Sequence, residues 1–246
     1  MRHIRLTVQY DGTDYAGFQR QENAFTIQEE LENRFRTILE DDVKIESASR
    51  TDAGVHALGQ ICTLKTETPI PLEGLLTAMN RILPLAVSIA GCEEVDPDFH
   101  PQYDAVGKLY SYRILNRNLP SPFINRYAWH VEKPLNVKLM HQAAGQLIGE
   151  HDFASFMASG GSVTSTVRRV ERLDVVREGD LVEIRIWADG FLYMMVRNIV
   201  GTLVEIGRGD RDVSEMTEIR QARDRTKAGM TAPPQGLCLV RVDYEK

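Results

Sequence analysis

One carboxylate in this chain has neighbours that suit catalysis. Asp52 lies in the segment 49–56, of sequence SRTDAGVH, in a loop between two predicted strands. An adjacent cation such as Arg50 favours the ionised form of a carboxyl group and holds it in place, while Gly54 lets the main chain approach a ligand closely. Such a carboxylate suits a nucleophile or a general base. The spacing alone, however, favours an ordinary turn in which Asp52 accepts hydrogen bonds from backbone amides.

The stretch 105–131 combines cations and aromatic residues and contains no acidic residue. Its members are Lys108, Arg113, Arg117 and Arg126, interleaved with Tyr110, Tyr112, Phe123, Tyr127 and Trp129. Cations hold phosphates and aromatic faces stack on unpaired bases, so this composition is typical of a surface for single-stranded or looped RNA. A strand with aromatic residues in the core and solvated cations outside explains the composition equally well.

The net charge of −6 is distributed unevenly along the 246 residues. Residues 1–103 carry nine Lys/Arg against 17 Asp/Glu, a balance of −8, and residues 104–246 carry 20 against 18, a balance of +2. In the second part we expect Arg168 and Arg169 to contact phosphates. Arg220, Arg223 and Lys227 would share one face if their helix extends that far, although a solvated face explains them as well.

Several familiar kinds of site are missing from the sequence. No phosphate-binding loop is present, and the histidines lack metal-ligand spacing, so we expect no metal site. Cys62, Cys92 and Cys238 are far apart and form no CxxC pair, which argues against a disulfide framework and fits a reducing cytoplasm. No stretch approaches the roughly 18 apolar residues of a membrane span.

The periodicity of the first part predicts the order βαββαβ. Strands are predicted for residues 3–10, 43–49, 60–65 and 86–95, and helices for 27–38 and 71–83. Thr26 and Glu29 have the capping-box spacing that opens a helix.

The second part predicts a similar order. It has a strand at 108–115, a helix at 136–147, a hairpin of 170–177 and 181–188, helices at 191–206 and 213–225, and a strand at 236–244. Twice βαββαβ favours an α+β fold of two ferredoxin-like halves, 1–103 and 104–246. We expect them to form a largely antiparallel sheet with helices on one side and a central active-site cleft.

Motifs spread along the chain resemble, in order, those of the tRNA pseudouridine synthase A family. SRTDAGVH at 49–56, followed by Gly59-Gln60, resembles the catalytic motif of that family. The other matching segments are YDGTDYAGFQ (10–19), TIQ (26–28), FH (99–100), KLYSY (108–112), HDF (151–153), SF (155–156), MVRNIVG (195–201), APPQGL (232–237) and VDY (242–244). The family often has His before Met-Val-Arg, where this chain has Tyr193-Met194.

The resemblance implies an isomerase that converts uridine to pseudouridine at positions 38–40 in the anticodon stem-loop of tRNA, without a cofactor or a metal. It implies that Asp52 is the catalytic carboxylate, that Tyr110 packs on the target base and helps to remove the C5 proton, and that Arg197 pairs with Asp52. Arg50 would lie beside the motif on the RNA side. The target nucleotide would be flipped out of its stack, at a cost of a few kcal/mol. The family further implies a homodimer that binds tRNA through both subunits.

The residues leave alternatives open. Arg197, on an otherwise apolar helix, either has a carboxylate partner or lies at an exposed edge, and Tyr110 could equally be a core tyrosine bonded to a carbonyl. A catalytically silent RNA-binding module is one alternative function. A glycosidase or nucleosidase is another, but those enzymes usually need two placed carboxylates, and no second one stands out near Asp52.

Overall fold

The computed structural model describes residues 1–161 and 163–245 as strands, helices and connecting loops. The ten strands are β1 Arg2–Tyr10, β2 Glu46–Ser47, β3 His56–Thr66, β4 Val87–Glu94, β5 Ala105–Asn116, β6 Trp129–Val131, β7 Gly149–Asp152, β8 Val167–Glu178, β9 Leu181–Ala188 and β10 Leu237–Tyr244. The five α-helices are α1 Ile27–Leu39, α2 Leu72–Ile82, α3 Val137–Gly145, α4 Met195–Arg208 and α5 Glu215–Ala222. Three short 3₁₀ turns complete the described elements: Ala154–Phe156, Arg225–Lys227 and Pro234–Gly236.

The chain divides into two compact units. The first is Met1–Val106 with Leu239–Lys246, and the second is Gly107–Cys238. Most of β10 therefore belongs to the first unit, where it lies next to β3. The second half predicted from the sequence instead includes all residues after 103. The assignment of separate functional roles to 1–103 and 104–246 stays a prediction.

The first unit contains the strand order β4-β1-β3-β10, with β2 beside β3. Strand β1 pairs antiparallel with both β3 and β4. Its alternate residues Ile4, Leu6 and Val8 are buried, as the period of two predicts. The capping box of α1 is confirmed, because the side chain of Thr26 accepts a hydrogen bond from the amide of Glu29 at 3.3 Å.

The second unit contains the strand order β5-β9-β8-β7, in which each neighbouring pair is antiparallel. The short strand β6 runs parallel to β5. Helix α3 packs against β8 and α4, and α4 is buried along most of its length. The predicted α+β class and the largely antiparallel strand pairing are thus confirmed.

Several predicted boundaries were wrong. Strand β3 begins at His56 instead of residue 60, so the end of SRTDAGVH is already extended chain. Helix α4 begins at Met195, after Met194 in the left-handed region with φ 58°. Helix α5 ends at Ala222, and Arg223 with φ 50° breaks it. Strands β6 and β7 were not predicted, because they are short and lack a clear alternation.

Among the described residues, no helix combines the length and the apolar character needed to span a bilayer. No group of three or more His, Cys, Asp or Glu side chains in that part of the chain is arranged to hold a metal ion. All three cysteines are free thiols. Burial raises the pKa of the Cys62 thiol above its ordinary range, which makes that group unreactive.

Candidate active site

The loop that carries Asp52 is bound by hydrogen bonds to the segment 10–18. The amide of Phe18 donates to the carbonyl of Thr51 at 3.0 Å, and the amide of Gly54 donates to the carbonyl of Tyr15 at 3.3 Å. Within the loop, the amide of Val55 donates to the carbonyl of Asp52 at 3.1 Å, which closes a turn. Both motifs, YDGTDYAGFQ and SRTDAGVH, therefore belong to one local structure in the first unit.

Two glycines make this close approach possible. A Cβ atom on Gly12 would lie 2.0 Å from the carbonyl oxygen of Val55, so a side chain there is excluded. Gly17 has φ +97°, and a Cβ atom there would lie 2.8 Å from the carbonyl oxygen of Thr51. Gly54 also has a positive φ, 77°, which is the backbone freedom that the sequence assigned to it.

Buried polar side chains lie beneath the same loop. The hydroxyl oxygens of Tyr10 and Thr51 are 2.7 Å apart. Gln60, which is fully buried, donates from Nε2 to the carbonyl of Ser49 at 2.6 Å and lies 3.5 Å from the Tyr10 hydroxyl. These contacts fix the start of the loop from inside the unit.

The end of the loop is fixed by a buried histidine. The amide of Gly12 donates to Nδ1 of His56 at 3.1 Å, and the same Nδ1 lies 3.2 Å from Oδ1 of Asp11. A ring nitrogen that accepts a hydrogen bond cannot donate one at the same time, so Nδ1 makes only one of these two contacts as a hydrogen bond. Both partners belong to the segment 10–18, so either contact fixes the end of the loop there.

Asp52 itself is half-buried, whereas its neighbour Arg50 is exposed. The side chain of Asp52 is thus carried at the surface of a loop whose backbone is held on both sides. A carboxylate on a loop with little freedom to shift suits nucleophilic or general-base chemistry.

Tyr110 lies in β5 of the second unit, opposite Ile186 of β9. Its side chain is 6% exposed and meets the ring of Phe191 edge-on, with centroids 5.0 Å apart and an angle of 79° between the rings. Edge-to-face contact with an aromatic neighbour restricts the orientation of the tyrosine ring. Phe191 is a contact of Tyr110 that the sequence did not single out.

Tyr112 shares the strand face of Tyr110, two residues on. Its hydroxyl donates to the carbonyl of Pro233 at 2.7 Å, and burial raises its pKa above the ordinary range, against the opposing effect of the Arg197 charge. Tyr112 therefore has the structural role, a core tyrosine bonded to a carbonyl, that the sequence left open for Tyr110.

Arg197 is half-buried on the first turn of α4. Its Nε donates to the carbonyl of Ala232 at 2.8 Å. The pairing with Asp52 stays a prediction, since the two residues belong to different units. Tyr110, Tyr112 and Arg197 belong to one unit, and Arg50 and Asp52 to the other.

Lys108 is a further group on the strand face of Tyr110. Burial, aided by the nearby charge of Arg168, lowers the pKa of Lys108 to about 8. The sequence counted Lys108 only among the cations of 105–131. Alternation along β5 could have indicated that Lys108, Tyr110 and Tyr112 point to one side.

The other predicted cations have partners within the protein. Arg168 donates to the carbonyls of Ser165 at 2.9 Å and Val167 at 2.6 Å, and the exposed Arg169 forms an ion pair with Glu150 at 3.1 Å. Exposed pairs of this kind exchange partners readily, so the predicted phosphate contacts of Arg168 and Arg169 stay predictions.

The proposed common face of Arg220, Arg223 and Lys227 does not form, because α5 ends at Ala222. Arg220 donates to the carbonyl of Gln146 at 3.0 Å, and Arg223 forms an ion pair with Asp152 at 3.0 Å. Lys227 lies in a 3₁₀ turn. Two of the three cations, Arg220 and Arg223, therefore have partners within the second unit.

Comparison with known proteins gives the same family as the motifs. The model of the family described as tRNA pseudouridine synthase matches residues 6–104 and 143–245. The chain is 47% identical over 244 residues to tRNA pseudouridine synthase A of Thermoanaerobacter sp. (strain X514), covering 99% of this chain and 100% of that protein.

Two further relatives match to a similar extent. The chain is 46% identical over 245 residues to tRNA pseudouridine synthase A of Ruminiclostridium cellulolyticum (strain ATCC 35319 / DSM 5812 / JCM 6584 / H10), with 99% and 100% of the two chains covered. It is 43% identical over 244 residues, with the same coverage, to tRNA pseudouridine synthase A 2 of Clostridium perfringens (strain 13 / Type A). These matches confirm the resemblance that the motifs indicated: the chain belongs to the tRNA pseudouridine synthase family.

Proposed function

We propose that this chain converts uridine to pseudouridine in tRNA and that Asp52 is the carboxylate that drives the reaction. Membership of the family and near full-length identity to three proteins named tRNA pseudouridine synthase A or A 2 support the reaction. The observation that supports the residue is the loop itself. Asp52 is half-buried in a turn whose neighbouring backbone is bonded on both sides to the segment 10–18.

The isomerisation is balanced within the substrate. The glycosidic bond between N1 and the ribose C1′ breaks, the base turns, and a bond forms between C5 and C1′. The C5 proton leaves to solvent and N1 acquires a proton, so no electron is gained or lost. Asp52 drives cleavage of the glycosidic bond, either by attack on the sugar, by attack on the base or by another action of its carboxylate.

We extend the proposal to Tyr110 and Arg197. Tyr110 packs on the target base and assists removal of the C5 proton after the base has turned, and its edge contact with Phe191 supports a fixed ring orientation. Arg197 supplies a half-buried guanidinium, and the hydrogen bond from its Nε to the carbonyl of Ala232 at 2.8 Å fixes the orientation of that group. Arg50, exposed beside Asp52, and Arg168 and Arg169 contact the RNA backbone.

The substrate site is proposed as the uridines at positions 38–40 of the anticodon stem-loop. Such a uridine is stacked, so the enzyme must flip the nucleotide out, at a cost of about a few kcal/mol. Phosphate contacts by the cations of the second unit offset that cost. We further propose that the working form is a homodimer and that it acts in the cytoplasm.

The test uses unmodified tRNA transcripts that carry tritium at C5 of uridine, purified protein and no added cofactor. Wild type is expected to release tritium to water, and Asp52→Asn to release none while it still binds tRNA. Asp98→Asn is the matched control, because Asp98 is an exposed carboxylate of the same unit, and it is expected to release tritium at the wild-type rate.

Two results would overturn the proposed reaction, and a third would overturn the role of Asp52. If wild type binds tRNA tightly but releases no tritium, the chain is an RNA-binding module. If free uracil appears instead of pseudouridine, the chain is a glycosidase acting at the same bond. Tritium release by Asp52→Asn at the wild-type rate would remove Asp52 from the mechanism and leave the reaction standing.

A further inference from the structure

A buried cluster of three polar side chains lies beneath the Asp52 loop. We propose that the Tyr10–Thr51–Gln60 cluster positions the carboxylate of Asp52 for the reaction, so that its three members are positioning residues of the enzyme. The inference rests on the proposed function, since it requires Asp52 to be the catalytic group. The contacts that support it lie within the first unit.

The cluster contacts the loop at two residues that precede Asp52, Ser49 and Thr51. Thr51, the residue next to Asp52, places its hydroxyl oxygen 2.7 Å from that of Tyr10. Gln60 holds the carbonyl of Ser49 with a hydrogen bond of 2.6 Å from Nε2. Both anchors are rigid, because Tyr10 ends β1 and Gln60 lies within β3. The loop is therefore tied to two neighbouring strands of a sheet.

The main chain around Thr51 is held as well as its side chain. The amide of Phe18 donates to the carbonyl of Thr51 at 3.0 Å, and Gly17 permits this approach because it has no Cβ atom. With its side chain and carbonyl both bonded, Thr51 has little freedom to rotate, and the direction of the next residue follows from that. A catalytic group displaced by about 1 Å can lose roughly a hundredfold in rate.

The amide of Gln60 is the strongest sign that the cluster serves more than stability. Gln60 is 0% exposed, yet its Oε1 accepts no hydrogen bond within the described part of the protein. Burying an acceptor without a partner destabilises a fold. An apolar residue of similar size would avoid that penalty, but it could not hold the carbonyl of Ser49. Gln60 thus holds the Asp52 loop in place at a cost in the stability of the fold.

Isosteric variants separate positioning from folding. Tyr10→Phe and Thr51→Val each remove one hydroxyl, and we expect each to lower kcat for tritium release per folded enzyme about tenfold, with KM for tRNA nearly unchanged. The melting temperature should fall modestly and to a similar extent in both variants, because each loses the same buried hydrogen bond. The double variant should be no slower than the slower single variant, because both changes remove the same hydrogen bond. Thr51→Ser restores the hydroxyl and should restore kcat to within about threefold.

Gln60→Met tests the third member. It removes the donor to Ser49 and also the unpaired acceptor, so kcat should fall about tenfold while the melting temperature stays the same or rises. This combination distinguishes a positioning residue from a structural one, whose loss would lower the melting temperature and the active fraction together.

Tyr244→Phe is the matched control for the loss of a tyrosine hydroxyl. Tyr244 lies in the same unit, and its hydroxyl donates to the carbonyl of Pro101 at 2.7 Å, away from the Asp52 loop. Its kcat should equal that of wild type. The inference is overturned if Tyr10→Phe and Thr51→Val keep wild-type kcat, or if kcat falls only in proportion to the folded fraction. Asp52→Asn is measured alongside. Its activity tests the catalytic role of Asp52, whereas the Tyr10, Thr51 and Gln60 variants test only the positioning role of the cluster.

Discussion

Arg197 and Ala232 are joined by two hydrogen bonds that run in opposite directions. The guanidinium Nε of Arg197 donates to the carbonyl of Ala232 at 2.8 Å, and the amide of Ala232 donates to the carbonyl of Arg197 at 3.0 Å. The first turn of α4 is thereby tied to the segment before β10. Because Nε is used internally, the orientation of the guanidinium plane is set by the fold before any substrate is present.

Replacing Arg197 by lysine should abolish this orientation and keep the charge. Lysine lacks the planar fork and the Nε donor, so we expect kcat for tritium release to fall about a hundredfold in Arg197→Lys, with the fold retained by circular dichroism. Arg113→Lys is the control, since Arg113 is exposed and its Nε lies 4.0 Å from Glu183. Equal kcat values for the two variants would contradict a role for the guanidinium of Arg197.

The contact between Tyr110 and Phe191 makes a second prediction. Phe191→Leu keeps an apolar side chain but removes the edge-on ring that limits rotation of Tyr110. We expect kcat to fall several-fold. The free energy of unfolding should fall by about 1.5 kcal/mol or less, because Phe191 is only half-buried and leucine retains most of its apolar contacts. Single-turnover tritium release and urea denaturation measure the two quantities. A large loss of stability with unchanged kcat would assign Phe191 to the core alone.

Gly201 should tolerate no side chain. A Cβ atom there would lie 1.6 Å from the carbonyl oxygen of Met230, so Gly201→Ala must force α4 away from the neighbouring segment. We expect the free energy of unfolding to fall by about 3 kcal/mol or more, as for severe overpacking. Urea denaturation followed by circular dichroism measures the change.

Gly145→Ala is the matched helical control for Gly201. Nothing lies within 4 Å of a Cβ atom at Gly145, which ends α3. Alanine there should leave the stability unchanged or raise it by up to about 1 kcal/mol. If both alanine variants behave alike, helix propensity decides the result and the Met230 contact does not.

The half-buried cation Lys108 predicts a dependence of stability on pH. Burial lowers its pKa from the ordinary 10.5 to about 8, with Arg168 adding to the effect. Between these two values the unfolded chain binds the proton and the folded chain does not, so this group makes the fold more stable as pH rises from about 8 towards 10.5. Below about pH 8 the full cost of burying the cation is present, at most about 3.5 kcal/mol.

Lys108→Met isolates that contribution. The variant should be more stable than wild type at pH 7, and the difference should narrow as pH is raised to about 9.5, because wild-type Lys108 loses its proton there. Urea denaturation at a series of pH values measures both curves. A difference that stays constant with pH would show that Lys108 does not titrate in this range.

Local patterns in the sequence were sufficient for most elements of this fold. The alternation of Ile4, Leu6 and Val8 predicts β1, and the spacing of Thr26 and Glu29 predicts the start of α1, because each pattern depends on residues a few positions apart. The boundaries that failed are those where backbone conformation interrupts the pattern, as at Met194 and Arg223. Neither position carries a glycine that would have indicated the break.

The motif SRTDAGVH similarly identified Asp52 and the family without a structure. The motif does not show which distant residues hold that loop in place. The contact of Tyr10 with Thr51 joins residues 41 positions apart, and the Tyr112 hydroxyl reaches Pro233 across 121 positions. No local pattern encodes such pairs, since only the folded chain brings them together.

The sequence by itself therefore determined most of the longer helices and strands, the family and the candidate catalytic carboxylate. Only the tertiary structure decided which polar groups are buried, which partners they have and, for Lys108, how far burial lowers the pKa. The physical reason is that secondary structure follows from the conformational preferences of neighbouring residues. Hydrogen bonds between side chains and the loss of solvent depend on residues that meet only after folding.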